Sequence, residues 1–320
     1  MGGNLKICSL LPSGTEILYS LGLGDQVVAV THECDYPADA AEKLKITEDL
    51  ISHTRLSSTE IDHAVAANVG RHGSIYRLKE DLLAALNPDL IITQELCEVC
   101  AVSYKEVKKA ARVLNGQTRI VSLEPNSLND VLETILLIGE IAGCKEVAEK
   151  NVCGMKSRLD GVRQRVRGLR RPRVYAMEWL DPPFSAGHWV PEMVEIAGGD
   201  EVLGKAGIKS QRISSEAILA ANPEIIVLMP CGFSLDRTIE EYRQIQFLPG
   251  PADRKHNASG WLANAGRTGW SGQVYAVDGS SYFNRSGPRL IDGVEILADI
   301  FHPKPEGTGN ESNRNFKRLS

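Results

Sequence analysis

The sequence predicts an α/β fold of two lobes, each a parallel-rich sheet flanked by helices, with one long bridging helix and a ligand cleft between the lobes. Three observations lead there. The segment LLAALNPDLII at 82–92 recurs as AILAANPEIIV at 217–227, so the same helix, Asn-Pro corner and apolar strand occur twice. Apolar runs of strand length alternate with segments of helical period, which marks βαβ units and a parallel sheet. Between the two copies, Ala148, Val152, Met155, Leu159, Val162 and Val166 recur at alternating spacings of four and three residues, a continuous apolar stripe on one helix. The 320 residues exceed what one compact core usually holds and fit two domains of ordinary size.

In chain order, 6–11 reads as the first strand, 12–16 as a turn and helix start, 17–23 as a short helix, and 27–30 as the second strand. From 31 to 78 the pattern is irregular apart from a helical piece near 58–69. A helix at 79–86, a strand at 89–93, a helix at 101–114 and a strand at 118–123 follow. Ser127 with Asp130 three residues on opens a helix to about 142. The striped helix, 145–168, is roughly 35 Å long at 1.5 Å per residue. Strands at 173–177, 224–229 and 273–277 then alternate with helices at 191–197, 214–221, 235–245 and 288–301. The implied domains are an N-terminal lobe at 1–143, the bridging helix at 144–168 and a C-terminal lobe at 169–303. A tail at 304–320, rich in Pro, Gly, Asn, Ser and charge, is expected to lack order.

The formal net charge of −5, with both signs interspersed, gives no electrostatic footprint for nucleic acid or an anionic membrane. No apolar stretch approaches the ~20 residues a membrane span needs, and the first residues lack the apolar core of a signal peptide, so a cytoplasmic protein is expected. Seven cysteines without an export signal argue for reduced thiols, free to bind metal. Cys8, Cys144 and Cys153 fall in apolar patterns and are expected in the core.

In open parallel sheets ligands sit beyond the carboxyl ends of the strands, so the residues just after each strand carry the functional reading. His32, Glu33, Cys34 and Tyr36 follow the second strand; Gln94, Cys97 and Cys100 follow the strand at 89–93. In the second half, Glu178, Trp179 and Phe184 follow the strand at 173–177, with His188 and Trp189 close behind. Cys231 and Phe233 follow 224–229, and Tyr282 and Arg285 follow 273–277. His32, Cys34, Cys97, Cys100, His188 and Cys231 are soft or borderline ligands, a subset of which suits a zinc or iron ion. A redox role for Cys97 and Cys100, or a structural one, stays open beside it. The rings of Tyr36, Trp179, Phe184, Trp189, Phe233, Tyr282 and Phe283 suit a large flat ligand, although core packing explains any one of them equally well. The chain has no P-loop, dinucleotide fingerprint or GxSxG elbow.

The stretch Ser9-Leu-Leu-Pro-Ser-Gly-Thr-Glu16, the triplet Asp35-Tyr-Pro37, the Asn-Pro-Asp-Leu-Ile-Ile strand, Pro182-Pro-Phe184 with Ala197-Gly-Gly199, and Tyr282-Phe-Asn-Arg-Ser-Gly-Pro-Arg289 resemble the cobalamin-binding proteins of bacterial ABC importers. That resemblance covers roughly 5–301. It implies a helical-backbone (class III) substrate-binding protein, which holds cobalamin, iron chelates or metal ions between two lobes without transforming them. It also implies that Tyr36 and Phe184 pack on a corrin, that Arg285 makes a polar contact, and that Asp81 and Glu216 are docking carboxylates for a transporter. Gln94 stands where the family has Trp, and Asn284 where it has Glu. The cysteines and histidines at the strand ends resemble instead a cytosolic branch of the family, for which transporter docking is not expected. Three readings follow: a cytosolic carrier for a cobalamin-like or other metal-containing ligand, a metal-dependent enzyme using Cys and His ligands with Glu178 or Glu33 as acid or base, and a metal-ion sensor or store.

Overall fold

The computed structural model describes residues 5–51, 56–72, 75–94, 107, 118–247, 270–303 and 315–320. The chain divides into two compact units, the first made of 1–56, 60–125 and 129–154, the second of 57–59, 126–128 and 155–320.

In the first unit, strands β1 (Ile7–Ser9), β2 (Val27–Val30), β3 (Leu44–Lys45), β6 (Leu90–Thr93) and β7 (Arg119–Ser122) form one parallel sheet. Its order is β3-β2-β1-β6-β7. The central strands are buried along their length, which is why they read as continuous apolar runs rather than alternating ones. Cys8, Leu10, Ala29, Ile46, Leu83 and Ile91 pack into one core. The irregular stretch holds a separate antiparallel pair, β4 (Thr47–Asp49) with β5 (Tyr76–Leu78), and the helix Ser58–His72. The first helix runs Pro12–Ser20, so the expected turn at 12–16 is its opening turn; Pro12 lacks the N–H that a first turn leaves unpaired anyway. The helix expected at 101–114 lies almost wholly outside the described residues.

In the second unit, β8 (Arg173–Trp179), β10 (Asp200–Glu201), β11 (Ile225–Leu228) and β12 (Gln273–Val277) are parallel, in the order β10-β8-β11-β12. Besides β10, two strands were not expected from the sequence. A short strand β9 (Phe184–Ser185) turns back antiparallel against the end of β8. The tail is not wholly without order either: β13 (Phe316–Arg318) pairs antiparallel with β12. Leu319 supplies the reason, since it packs on the core of Tyr175, Met177, Ile226, Leu228 and Val274 while its N–H donates to the Val274 carbonyl at 2.7 Å.

The duplication is realised in both units. The helix Glu80–Leu86 ends at Asn87 with φ 44°, and the helix Ser215–Ala221 ends at Asn222 with φ 41°. Asn is among the few non-glycine residues that enter the left-handed region readily, and the proline after it cannot continue a helix. Each corner delivers the chain into an interior strand of its sheet, β6 in one unit and β11 in the other.

The long helix spans Lys145–Val166, about 33 Å. Ala148, Val152, Leu159, Val162 and Val166 of its stripe are buried and Met155 is half-buried. Residues to Gly154 belong to the first unit and those from Met155 to the second. On its outer face Arg158 bridges Asp292 at 2.6 Å and Glu295 at 2.7 Å.

Gly198 and Gly199 do more than end a helix. Gly198 has φ +84°, and a Cβ there would meet Val166 at 2.9 Å and the His302 ring at 2.6 Å. Gly207 has a similar φ of +75° but open space around it. Gly198→Ala therefore combines backbone strain with a clash and should cost about 3 kcal/mol, whereas Gly207→Ala should cost about 1 kcal/mol. Denaturant unfolding of both variants checks this; equal losses would contradict it.

Glu201 gives a pH signature. Its carboxylate accepts from the N–H groups of Ala176, Leu203 and Gly204 at 2.9, 3.0 and 2.8 Å, yet burial outweighs these bonds and pushes its pKa up to about 7. The folded state thus holds a proton that the unfolded chain, with a pKa near 4.5, has released. The associated stability is present below about 4.5 and is lost as pH rises through 7, by up to about 3 kcal/mol. Urea unfolding across that window should show the fall, and Glu201→Gln should flatten it.

Candidate functional site

Parallel pairing aligns the strand ends. In the second unit Leu228 lies opposite both Met177 and Ala276, so β8, β11 and β12 end within two residues of one another and their loops leave from one edge. The Met229 N–H donates to the Met177 carbonyl at 2.9 Å and the Cys231 N–H to the Glu178 carbonyl at 3.1 Å, which holds the first two loops together. After β12, Asp278 caps the helix Gly279–Tyr282 by accepting from the Ser281 N–H at 2.7 Å. The Ser280 N–H donates to the Phe233 carbonyl at 3.1 Å and joins the third loop to the second.

The expected rings divide into two sets. Trp179, Phe184 and Tyr282 are half-buried at or just beyond the strand ends. Phe233 and Trp189 are core residues, 1 % and 6 % exposed. The Phe233 ring is used up internally: Trp179 meets it edge-on at 5.4 Å and the Arg237 guanidinium lies 3.7 Å from its centre. Trp189 donates its indole N–H to the Phe283 carbonyl at 2.8 Å. Phe283 is also fully buried. Tyr36, in the first unit, is the most exposed of the candidates at 48 %.

Polar groups frame the edge. Trp179 donates its indole N–H to the Ser58 carbonyl at 3.2 Å, and Asp181 accepts from the Thr59 hydroxyl at 2.7 Å. Ser58 in turn donates through both its N–H and its hydroxyl to Glu241, at 2.7 and 2.6 Å. Burial pushes the half-buried Glu178 carboxyl above the usual carboxylate range, against bonds from Ser210 and from the Gly187 N–H at 3.3 Å that favour the charged form. Arg285 is half-buried, and Asn284 donates to the Met229 carbonyl at 3.4 Å. Ser58, Thr59 and Ser210 were not legible as site residues, because nothing local marks a contact made across so much sequence.

The expected cluster of metal ligands does not form among the described residues: no three His, Cys, Asp or Glu side chains there come close enough to hold an ion. Cys34 points inward, 2 % exposed, with its sulfur 3.1 Å from the Thr15 hydroxyl. His32 directs Nδ1 at the Thr47 hydroxyl at 2.7 Å, and its Nε2 lies 3.2 Å from Glu33 without hydrogen-bond geometry. Cys231 and His188 are half-buried and join no such group. Cys97 and Cys100 lie outside the described residues. Cys8 is in the core, where burial pushes its thiol up to about 12, but Cys144 is half-buried and Cys153 exposed, which corrects their expected burial. Asp81 and Glu216 are exposed in the first turns of the two duplicated helices.

Comparison with known proteins agrees with this architecture. An ABC transporter substrate-binding lipoprotein of Bacillus subtilis is 27% identical over 318 residues, covering 93% of this chain and 80% of that protein. A vitamin B12-binding protein of Vibrio cholerae is 22% identical, covering 91% and 86%. Among solved structures, the periplasmic heme-binding protein of Roseiflexus sp. RS-1 in apo form superposes with a TM-score of 0.64 at 23% identity, over 94% of this chain and 98% of that one. The periplasmic vitamin B12-binding protein of Vibrio cholerae does so with 0.61 at 22%, over 93% and 98%. The family model described as periplasmic binding protein matches residues 7–248, and the chain belongs to that family.

Proposed function

We propose that this chain binds, without transforming it, a large flat metal chelate of the cobalamin or haem class, using the residues beyond the carboxyl ends of its parallel strands. The observation that carries the reading is the set of half-buried rings, Trp179, Phe184 and Tyr282, left at one edge of the second unit's sheet beside Arg285 and Glu178. Rings half-buried at a strand edge suit a conjugated planar ligand, and the polar groups near them suit its substituents. Relatives named for vitamin B12 and heme support the ligand class.

The two readings built on a bare ion held by cysteines and histidines, an enzyme and a sensor or store, find no cluster to rest on among the described residues. A metal already held by an organic chelate needs no such cluster. The expectation against transporter docking gains no support from relatives described as ABC transporter substrate-binding proteins. Asp81 and Glu216, exposed at equivalent places in the two units, are the candidate contacts for that partner.

Absorbance titration of the full chain with cyanocobalamin and with ferric haem tests the reading. At least one should bind saturably, and Phe184→Ala and Tyr282→Ala should each weaken it by about 1–2 kcal/mol with the fold unchanged. Saturable binding that ignores both substitutions would remove these rings from the site.

A further inference from the structure

Glu241 is an acidic residue that is 6 % exposed and lies outside the set of strand-end residues. It sits on the helix Leu235–Phe247, whose Ile239, Tyr242 and Ile245 are buried, so its place is fixed by the core of the second unit. Its Oε1 accepts from the Ser58 N–H at 2.7 Å and from the Ser58 hydroxyl at 2.6 Å, across 183 residues of chain.

Ser58 opens the helix Ser58–His72, and the first N–H groups of a helix need acceptors from outside it. Elsewhere in the chain a neighbouring side chain serves: Ser214 accepts from the Ala217 N–H and Asp278 from the Ser281 N–H. An acceptor brought from a distant helix does something that a local one cannot. It fixes where Ser58 lies within the second unit, to which residues 57–59 belong.

Two bonds lead from there to the ring-lined edge. The Ser58 carbonyl accepts the Trp179 indole N–H at 3.2 Å, and the Thr59 hydroxyl donates to Asp181 at 2.7 Å. An indole has a single donor and no acceptor, so this bond decides how the half-buried ring is turned. Residues 58 and 59 thus hold both the last residue of β8 and the turn beyond it. Arg237, four residues before Glu241 and so on the same face of its helix, reaches the same ring by a second route. Its guanidinium lies 3.7 Å from the centre of Phe233, which Trp179 meets edge-on at 5.4 Å.

We propose that Glu241 is a positioning residue of the candidate site, holding Trp179 through Ser58 in the orientation that meets the bound chelate; this rests on the function proposed above. Glu241 acts without touching the ligand. A ring already turned to its bound orientation costs less to order when the ligand arrives.

The test is a double-mutant cycle on the full chain, with ferric haem and cyanocobalamin as probes. Glu241→Ala should weaken binding of whichever probe the wild type takes up by about threefold to tenfold. Trp179→Phe keeps a ring but removes the indole N–H, so in that background Glu241→Ala should weaken binding by less than about twofold. Glu241→Gln keeps an acceptor oxygen for Ser58 and should bind as the wild type does. The indole N–H proton resonances supply a second readout. The signal that Trp179→Phe removes should shift in Glu241→Ala and stay in place in Glu241→Gln, while those of Trp189 and Trp270, bonded to Phe283 and Pro223, hold their positions in both. Should Glu241→Ala not fold, Glu241→Asp, which draws the carboxyl group back by one methylene, is read in the same way. An unchanged affinity, equal losses in both backgrounds, or an unmoved Trp179 signal would overturn the role of Glu241 and leave the proposed function standing. Failure of the wild type to bind either probe would overturn the proposed function and this role with it.

Discussion

The constraint on which the rest of this structure depends is the in-register parallel pairing of the interior strands in each unit. Where β11 runs between β8 and β12, the pairing of Leu228 with both Met177 and Ala276 brings three loops to one level. Successive side chains in a strand point to opposite faces, so a one-residue slip would turn every side chain over and move the loops with it. The Asn-Pro corners at Asn87 and Asn222 guard that register by stopping each helix at a fixed residue before the interior strand begins.

From that alignment comes the division of the aromatic residues. Phe233, Trp189 and Phe283 turn inward and are consumed by packing; Trp179, Phe184 and Tyr282 stay at the edge with part of their surface open. The buried set supports the open one, for Trp179 leans on Phe233, which is itself capped by Arg237. The proposed binding surface is thus braced by packing, and such bracing lowers the ordering cost of binding.

Much of the fold was legible in the sequence. The repeated Asn-Pro segments marked the interior strands β6 and β11, and the four-three spacing marked the long helix within two residues of its end. What stayed hidden had physical reasons. β9, β10 and β3 have two residues each, too short for any periodicity to show. β13 sits in a polar segment and is held by backbone pairing and by the single apolar Leu319. At the site, sequence could list the residues after each strand but not say which way their side chains turn. Cys34 and Trp179 both follow strands, yet one faces the core and the other the edge. The contacts of Ser58 with Glu241 and of Thr59 with Asp181 join residues far apart in the chain, and no local pattern announces them.

On the proposed function the chain carries an intact metal chelate and not a bare ion. Elemental analysis combined with the visible spectrum, on protein taken from its native cells, tests it most directly. Cobalt or iron together with the absorption of a conjugated macrocycle is the predicted result. Stoichiometric zinc in a colourless protein would contradict it.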